Sequence, residues 1–306
     1  MIPLTCRSHY SLMWGTASVE RLCARARQLG YSALALTDTD NLYGLWDFLS
    51  ACRTHGLKPI VGAEITDPSS PHRAICLVKN DQGYHHLCTL LTRRHQDKHF
   101  SLKQAIPPLG RGMVILTRSS ELLADWHDQD PCLDLGAALP RAPLSCRHDL
   151  CRTARKRSLP MVATPGSFFL HSRDHGTHAL VRAIDTNQCL SRLGHGDLAP
   201  ENTFLNSPEY YQQKFSILPQ AVKATYALGE RLNFQGPDFG IVMPPFEPGP
   251  GRTAHDLLRK KTMEGAEKRG MFRILCHGFG SRICLSASGS KSQVREWAFN
   301  QPRRRS

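Results

Sequence analysis

An α/β fold, a closed barrel of parallel strands followed by a mainly helical segment, is predicted by three features of this 306-residue sequence. Short apolar runs alternate with amphipathic segments from residue 1 to about residue 190. Six or seven such strand–helix units fit into fewer than 200 residues, which favours closure over an open doubly wound sheet and implies right-handed crossovers between parallel strands. No G-x-G-x-x-G turn follows a strand, so nothing marks a dinucleotide site.

The first strand is Pro3–Ser8. Ser18 then caps a helix whose Leu22, Ala26 and Leu29 share one stripe, and Gly30 stops it. Residues 32–37 are apolar on both faces, as a buried parallel strand requires. The loop TDTDNLYG leads to a helix with Leu45, Phe48, Leu49 and Cys52 inward. Lys58–Ile65 and Ala74–Val78 are the next strands, and Tyr84–Arg94 is a helix burying Leu87, Leu90 and Leu91. Met113–Leu116, a basic helix near 147–157 and a strand at Pro160–Thr164 complete the barrel, taken as residues 1–200. Residues 201–270 read as a helical extension: Pro208–Phe215, Pro219–Asn233, a proline-rich irregular stretch, and a helix opened by a capping box at Thr253 and Asp256. Residues 271–306 have no period and read as a basic, poorly ordered tail.

Composition narrows the function. The apolar content of 41% suffices for a real core and excludes a disordered chain. No apolar run approaches the roughly 18 residues of a membrane span, and no signal peptide is visible, so the expectation is a cytoplasmic protein with no membrane partner. The net charge of +13 favours polyanionic partners. Nearly half of it sits in residues 271–306, with seven basic side chains against one acidic, including Arg303, Arg304 and Arg305 as candidate nucleic-acid contacts. The 11 cysteines show no C-x-x-C pair, and Cys146 and Cys151 are the nearest approach to zinc spacing, so reduced thiols are expected.

His171, His175 and His178 recur at helical spacing, but no glutamate occupies the general-base position between them and Gly176 weakens the helix, so a metal role is disfavoured. Asp125, Asp128 and Asp130 with His127 read as a solvated turn near Pro131.

The segments CRSHYSLMWGTASVERL, LGYSALALTDTDNLYG and LKPIVGAEI resemble the opening of the PHP domain of bacterial DNA polymerase III alpha subunits. The resemblance continues through LVKNDQGYHHLCTLL, LPMVATPGSFFL, ENTFLNSPEYY, ALGERLNF and PPFEPGPGRTAHDLLRKKTMEGAEKRG, covering about residues 1–270 in order. It implies a PHP-type distorted (β/α)7 barrel. In intact family members a cluster of His, Asp and Glu binds divalent metal ions and hydrolyses phosphoesters, because clamping a phosphate and ionising a water takes shared imidazoles and carboxylates.

Matched position by position, most of that set is missing. Thr5 and Arg7 stand for the opening His-x-His pair, Trp14 for an acidic residue, Thr39 for the histidine of the TD-x-D loop, and Gly166 and Phe168 for an Asp-x-His pair. Glu64 and Asp38 survive as vestigial metal ligands, Arg7 repels cations, and the nearby His9 is a lone imidazole. No catalytic residue and no cofactor is assigned. Pro237-Asp238-Phe239 offers one carboxylate where polymerase chemistry needs at least two. The palm that carries them lies beyond the matched region, as expected of a truncated or frame-shifted relic.

The leading reading is therefore the PHP-domain portion of a DNA polymerase III alpha-type protein of DNA replication or repair. It serves as a scaffold with a lost phosphoesterase site and no palm, inactive alone, with DNA, remaining polymerase modules or a proofreading exonuclease as partners. The alternatives are a metal-dependent phosphoesterase or exonuclease using Glu64 and Asp38, and a basic nucleic-acid-binding module acting through its tail.

Overall fold

The computed structural model describes residues 1–141, 149–194, 196–238, 240, 251 and 253–268. Arg303, Arg304 and Arg305, the rest of the tail, Cys146 and most of the proline-rich stretch lie outside them. The chain divides into two compact units, Met1–Asp238 and Phe239–Ser306.

The first unit is built on a curled six-stranded sheet in sequence order: β1 (Ala33–Thr39), β2 (Lys58–Thr66), β3 (Arg73–Val78), β4 (Met113–Thr117), β5 (Asp134–Leu139) and β6 (Met161–Ala163). The Pro3–Ser8 segment is not a regular strand, yet it fills the remaining gap. On one side Ala35 and Thr37 donate backbone N–H groups to Pro3 and Cys6, and on the other Arg7 and Ser167 bond each other's neighbourhoods, Arg7 N–H to Ser167 O and Ser167 N–H to Thr5 O. The distorted barrel expected from the sequence is present.

One expectation needs correcting. β3 runs antiparallel to both β2 and β4, whereas the other pairs are parallel. The cause is length: the link between Thr66 and Arg73 is far shorter than the dozen or so residues a parallel crossover needs. Asp67 fixes that link, accepting from the Ser69 N–H and hydroxyl and, across to another element, from the Leu102 N–H at 2.9 Å.

The helices are α1 (Val19–Gln28), α2 (Leu45–His55), α3 (Asp81–Gln96), α4 (Leu102–Leu109), α5 (Ser120–Gln129), α6 (Asp149–Lys156), α7 (His175–Thr186), α8 (Pro208–Lys214), α9 (Pro219–Arg231) and α10 (Ala254–Lys268). Ser18 caps α1 as read, and Gly30 follows it at φ +82°. The acidic turn around Asp125 is instead helical: Asp125 and Asp128 lie on α5 and Asp130 is its C-cap, the helix being capped by the Ser119 hydroxyl and held by buried Leu122, Leu123 and Trp126. β5 and α4 went unread: DLGAAL carries little β-branched signal, and α4 contains Pro107 and Pro108.

Two apolar layers result. Leu4, Ala35, Ile60, Leu77, Val114, Leu116, Ala138 and Val162 fill the barrel. A larger outer layer joins the opposite strand faces to the helices around Phe48, Leu90 and Trp126. α9 belongs to the first unit and plugs the barrel's N-terminal end: its Leu228 and Leu232 join the interior cluster, Thr225 accepts from the Ile2 N–H, and Lys58 Nζ reaches Gly229 O and Asn233 Oδ1 at 2.7 Å each. In the second unit, α10 opens with the expected box, Asp256 N–H bonding Thr253 Oγ1 and Thr253 N–H bonding Asp256 Oδ2. No helix among the described residues is long and apolar enough to cross a membrane.

A close approach sets one stability prediction. Gly83, in the first turn of α3, lies so near the Gly112 carbonyl that a Cβ would overlap it. Gly83→Ala should cost on the order of 1–3 kcal/mol through forced backbone shifts. Gly176→Ala in α7, where nothing lies within 4 Å, should cost nothing. Urea midpoints at unchanged m value check the pair.

Candidate functional site

In a barrel of this kind the chemistry belongs to the C-terminal ends of the parallel strands. Interior positions alternate along each strand, so the residue two places beyond the last apolar interior side chain lines the mouth. That rule runs from Ala35 to Thr37 and Thr39, and from Ile60 to Gly62 and Glu64. On antiparallel β3 it runs backwards from Ile75 to Arg73; on β4 it runs from Leu116 to Arg118. In the N-terminal segment the alternation slips by one, since Leu4 belongs to the interior layer and Cys6 to the outer one, and this slip brings Arg7 into the mouth.

The mouth is a cavity of about 590 Å3. At its base Glu64, 1% exposed, places Oε2 2.6 Å from Arg7 Nη2 and 3.0 Å from Arg73 Nη1. Burial works against ionisation of Glu64, but the positive charges of Arg7, Arg73 and Arg118 outweigh it and hold the carboxyl down at about 2. Arg118, exposed at the rim of the same mouth, adds to the positive charge facing Glu64. Arg7 itself is 2% exposed, lies 4.4 Å over the Phe168 ring, and leaves Nε and Nη1 buried with no hydrogen-bond partner. Thr164 Oγ1, on the interior face two residues past Val162, is buried in the same condition.

Asp38 does not join Glu64. In the β1–β2 register Thr39 opposes Glu64, so Asp38 lies on the other face of the sheet. There it accepts from the Ser8 N–H and hydroxyl at 2.7 and 2.8 Å and from the Ser11 hydroxyl at 2.7 Å, pinning the loop after the first segment to β1. The other sequence-flagged residues also have local roles. His9 is exposed, with Nδ1 3.2 Å from Ala17 O. Trp14 stacks beneath the Arg182 guanidinium at 4.0 Å and beside Phe168, so aromatic rings and guanidinium groups fill the positions where the resemblance implies metal ligands.

The histidine stripe is not one helical face. His171 precedes a short 3-10 turn, while His175 and His178 lie on α7. His178 donates from Nδ1 to Trp14 O and accepts the Ala199 N–H at Nε2, the geometry of a neutral structural imidazole; burial pushes its pKa down. Asp125, Asp128 and Asp130 each bind a separate partner, Lys103, Arg157 and Arg111. Among the described residues, no group of three or more His, Cys, Asp or Glu side chains is placed to hold a metal ion. Arg73 and Arg118 were missed by the motif reading; the signal that finds them is their place two residues beyond an interior apolar strand position.

Residues 3–129 match the family model of the PHP domain. Over most of its length the chain is similar to DNA polymerase III alpha subunits. The sequence is 28% identical to DNA polymerase III subunit alpha of Neisseria meningitidis serogroup A, over 88% of this chain and 26% of that protein. It is 27% identical to the Escherichia coli K12 subunit, over 89% and 26%, and 23% identical to the Aquifex aeolicus subunit, over 88% and 28%. The chain thus spans about a quarter of the length of the curated relatives it matches. Among solved structures, a metal-dependent phosphoesterase of Bifidobacterium adolescentis aligns with a TM-score of 0.43 and 13% identity, over 70% of this chain and 95% of that one.

Proposed function

We propose that the chain is the PHP-domain portion of a DNA polymerase III alpha-type protein, acting in DNA replication or repair as a scaffold rather than as a hydrolase. The observation that carries this reading is the capture of Glu64 by Arg7 and Arg73 at the base of the mouth. A catalytic metal cluster needs several carboxylates and imidazoles converging on one point. Here one carboxylate converges with guanidinium groups, and the second, Asp38, is on the opposite face of β1. The residues present do not fit divalent cations, and no step is assigned to a metal.

What remains is a support. The barrel is plugged at one end by α9, and in this reading it holds neighbouring modules in place on DNA. In this reading the polymerase body and a proofreading exonuclease are the protein partners, and the cytoplasm is the compartment.

The purified chain, dialysed against micromolar Mn2+ or Zn2+, should retain well under one equivalent of metal by elemental analysis. It should neither hydrolyse bis-p-nitrophenyl phosphate nor extend a primed template with Mg2+. One or more tightly held equivalents with hydrolysis that vanishes in Glu64→Gln would overturn the scaffold reading, as would primer extension.

A further inference from the structure

We infer that the mouth of the barrel docks a short acidic segment of a protein partner, with its carboxylates on Arg118, Arg141 and Lys214 and its apolar side chains on the apolar part of the wall. The inference rests on the scaffold reading for a mouth free of metal, and it adds the chemistry of what the scaffold holds.

Unpaired charge is the first argument. Surface cations elsewhere in the first unit find carboxylates: Lys79 and Arg231 share Asp134, Lys103 meets Asp125, Arg111 meets Asp130 and Arg157 meets Asp128. At the mouth this pairing stops. Arg118, Arg141 and Lys214 line it and are exposed, and none of them has an acidic partner among the described residues. Glu64 is already taken by Arg7 and Arg73. Topology puts the arginines side by side: Arg73 opens β3, Arg118 follows β4 and Arg141 lies two residues beyond β5, and these strands are neighbours in the sheet. Adjacent strands stand about 4.8 Å apart, so the three line one stretch of the rim. A concave positive surface focuses its field on an approaching anion, and unpaired charges at a rim steer a partner of opposite sign.

The rest of the wall decides which kind of anion fits. Pro140, Leu198, Pro200 and Tyr210 give the cavity an apolar side, and Ile217 stands on it 73% exposed. Pyrrolidine and aliphatic groups offer no hydrogen-bonding edge to a base. A single strand of nucleic acid needs aromatic faces open for stacking along a cationic track. The larger rings here are occupied: Phe168 carries the Arg7 guanidinium, Trp14 that of Arg182, and Tyr210 packs edge-on to Tyr211 with Lys214 Nζ 5.4 Å above it. Apolar groups set among arginines are instead the composition of a protein interface. An acidic stretch with interspersed aliphatic side chains meets both parts of the wall. The cavity of about 590 Å3 takes a few residues of it.

The test uses the full chain, immobilised, to select from a library of random peptides. Selected sequences should carry aspartate or glutamate beside leucine, isoleucine or phenylalanine. One of them, synthesised with a fluorophore, should bind in solution with an affinity that falls about tenfold or more in Arg118→Gln and in Ile217→Ser. Both side chains are exposed, so both variants should keep the fold, checked by circular dichroism. Arg111→Gln, at the other end of β4, should bind as the parent does. Replacing the carboxylates of the peptide by amides should abolish binding. Selection of sequences without acidic residues, or parental affinity in both mouth variants, overturns the docking site. So does a single-stranded oligothymidylate that displaces the peptide and binds more tightly, because that assigns the mouth to nucleic acid. In a sample that elemental analysis shows to be free of metal, each of these results leaves the scaffold reading intact. Tightly bound metal overturns that reading and the docking site with it.

Discussion

Glu64→Gln is expected to destabilise the protein by about 3–5 kcal/mol, the cost of removing one partner from a buried ion pair. Both side chains of the Arg7–Glu64 pair are 2% exposed, so the charge left behind on Arg7 has no water to turn to. Glutamine keeps the shape and still accepts a hydrogen bond, which isolates the charge. Without the carboxylate, Arg7, Arg73 and Arg118 also face one another uncompensated. Denaturant unfolding at neutral pH measures the loss. The double variant Arg7→Met/Glu64→Leu should be more stable than Glu64→Gln, because it removes the stranded charge together with its partner. A loss below about 1 kcal/mol for Glu64→Gln would mean that the pair behaves as a solvated surface bridge.

The parts of the fold that could be read from the sequence were those with a local cause. Ser18 and Gly30 bracket α1 by capping chemistry alone, and Thr253 with Asp256 opens α10 the same way. The run at β1 is apolar on both faces because one face meets the barrel interior and the other the helices. β3 was found as a strand, but its direction depends on the length of a loop rather than on its own residues. α5 shows a different failure: Asp125, Asp128 and Asp130 draw attention as a cluster, while the buried stripe of Leu122, Leu123 and Trp126 on the opposite face decides the conformation.

The residue changes at the mouth were legible one by one, and the contacts among them were not. Thr5, Arg7, Trp14 and Phe168 stand where the resemblance implies metal ligands, and the sequence shows each change singly. It does not show that Arg7 reaches Glu64, because that contact requires the ring to close between the first segment and the chain leaving β6. Arg73 and Arg118 lie outside the motifs; on one strand each is a charged residue at an edge. Barrel closure converts three separate edges into one cluster around Glu64. Asp38 is the opposite case: its neighbour Thr39 shares a face with Glu64, and the one-residue offset sends Asp38 to the serines of the first loop.

The same carboxylate should make stability fall in acid. The Glu64 carboxyl is held at about 2 in the folded protein against 4.5 as its ordinary value, so the folded state binds this proton less readily than the unfolded chain. A depressed acid contributes stability above the unfolded value and loses it as pH falls from about 4.5 towards 2. At about 1.4 kcal/mol per pH unit, the whole contribution is about 3.5 kcal/mol, of which about 3 kcal/mol is lost by pH 2. Asp67, lowered by the Ser69 and Leu102 hydrogen bonds against the cost of burial, adds loss in the same acid range. His178, lowered mainly by burial, begins its loss near pH 6.5, well before Glu64 is reached. The parent protein and Glu64→Gln share the Asp67 and His178 contributions, so the difference between their stability curves belongs to Glu64. The two curves should run parallel above about pH 5 and converge by about 3 kcal/mol as the pH drops to 2. Curves that stay parallel throughout would show that the Glu64 carboxyl titrates in the folded protein as it does in the unfolded chain, and that the arginines at the mouth do not hold its charge.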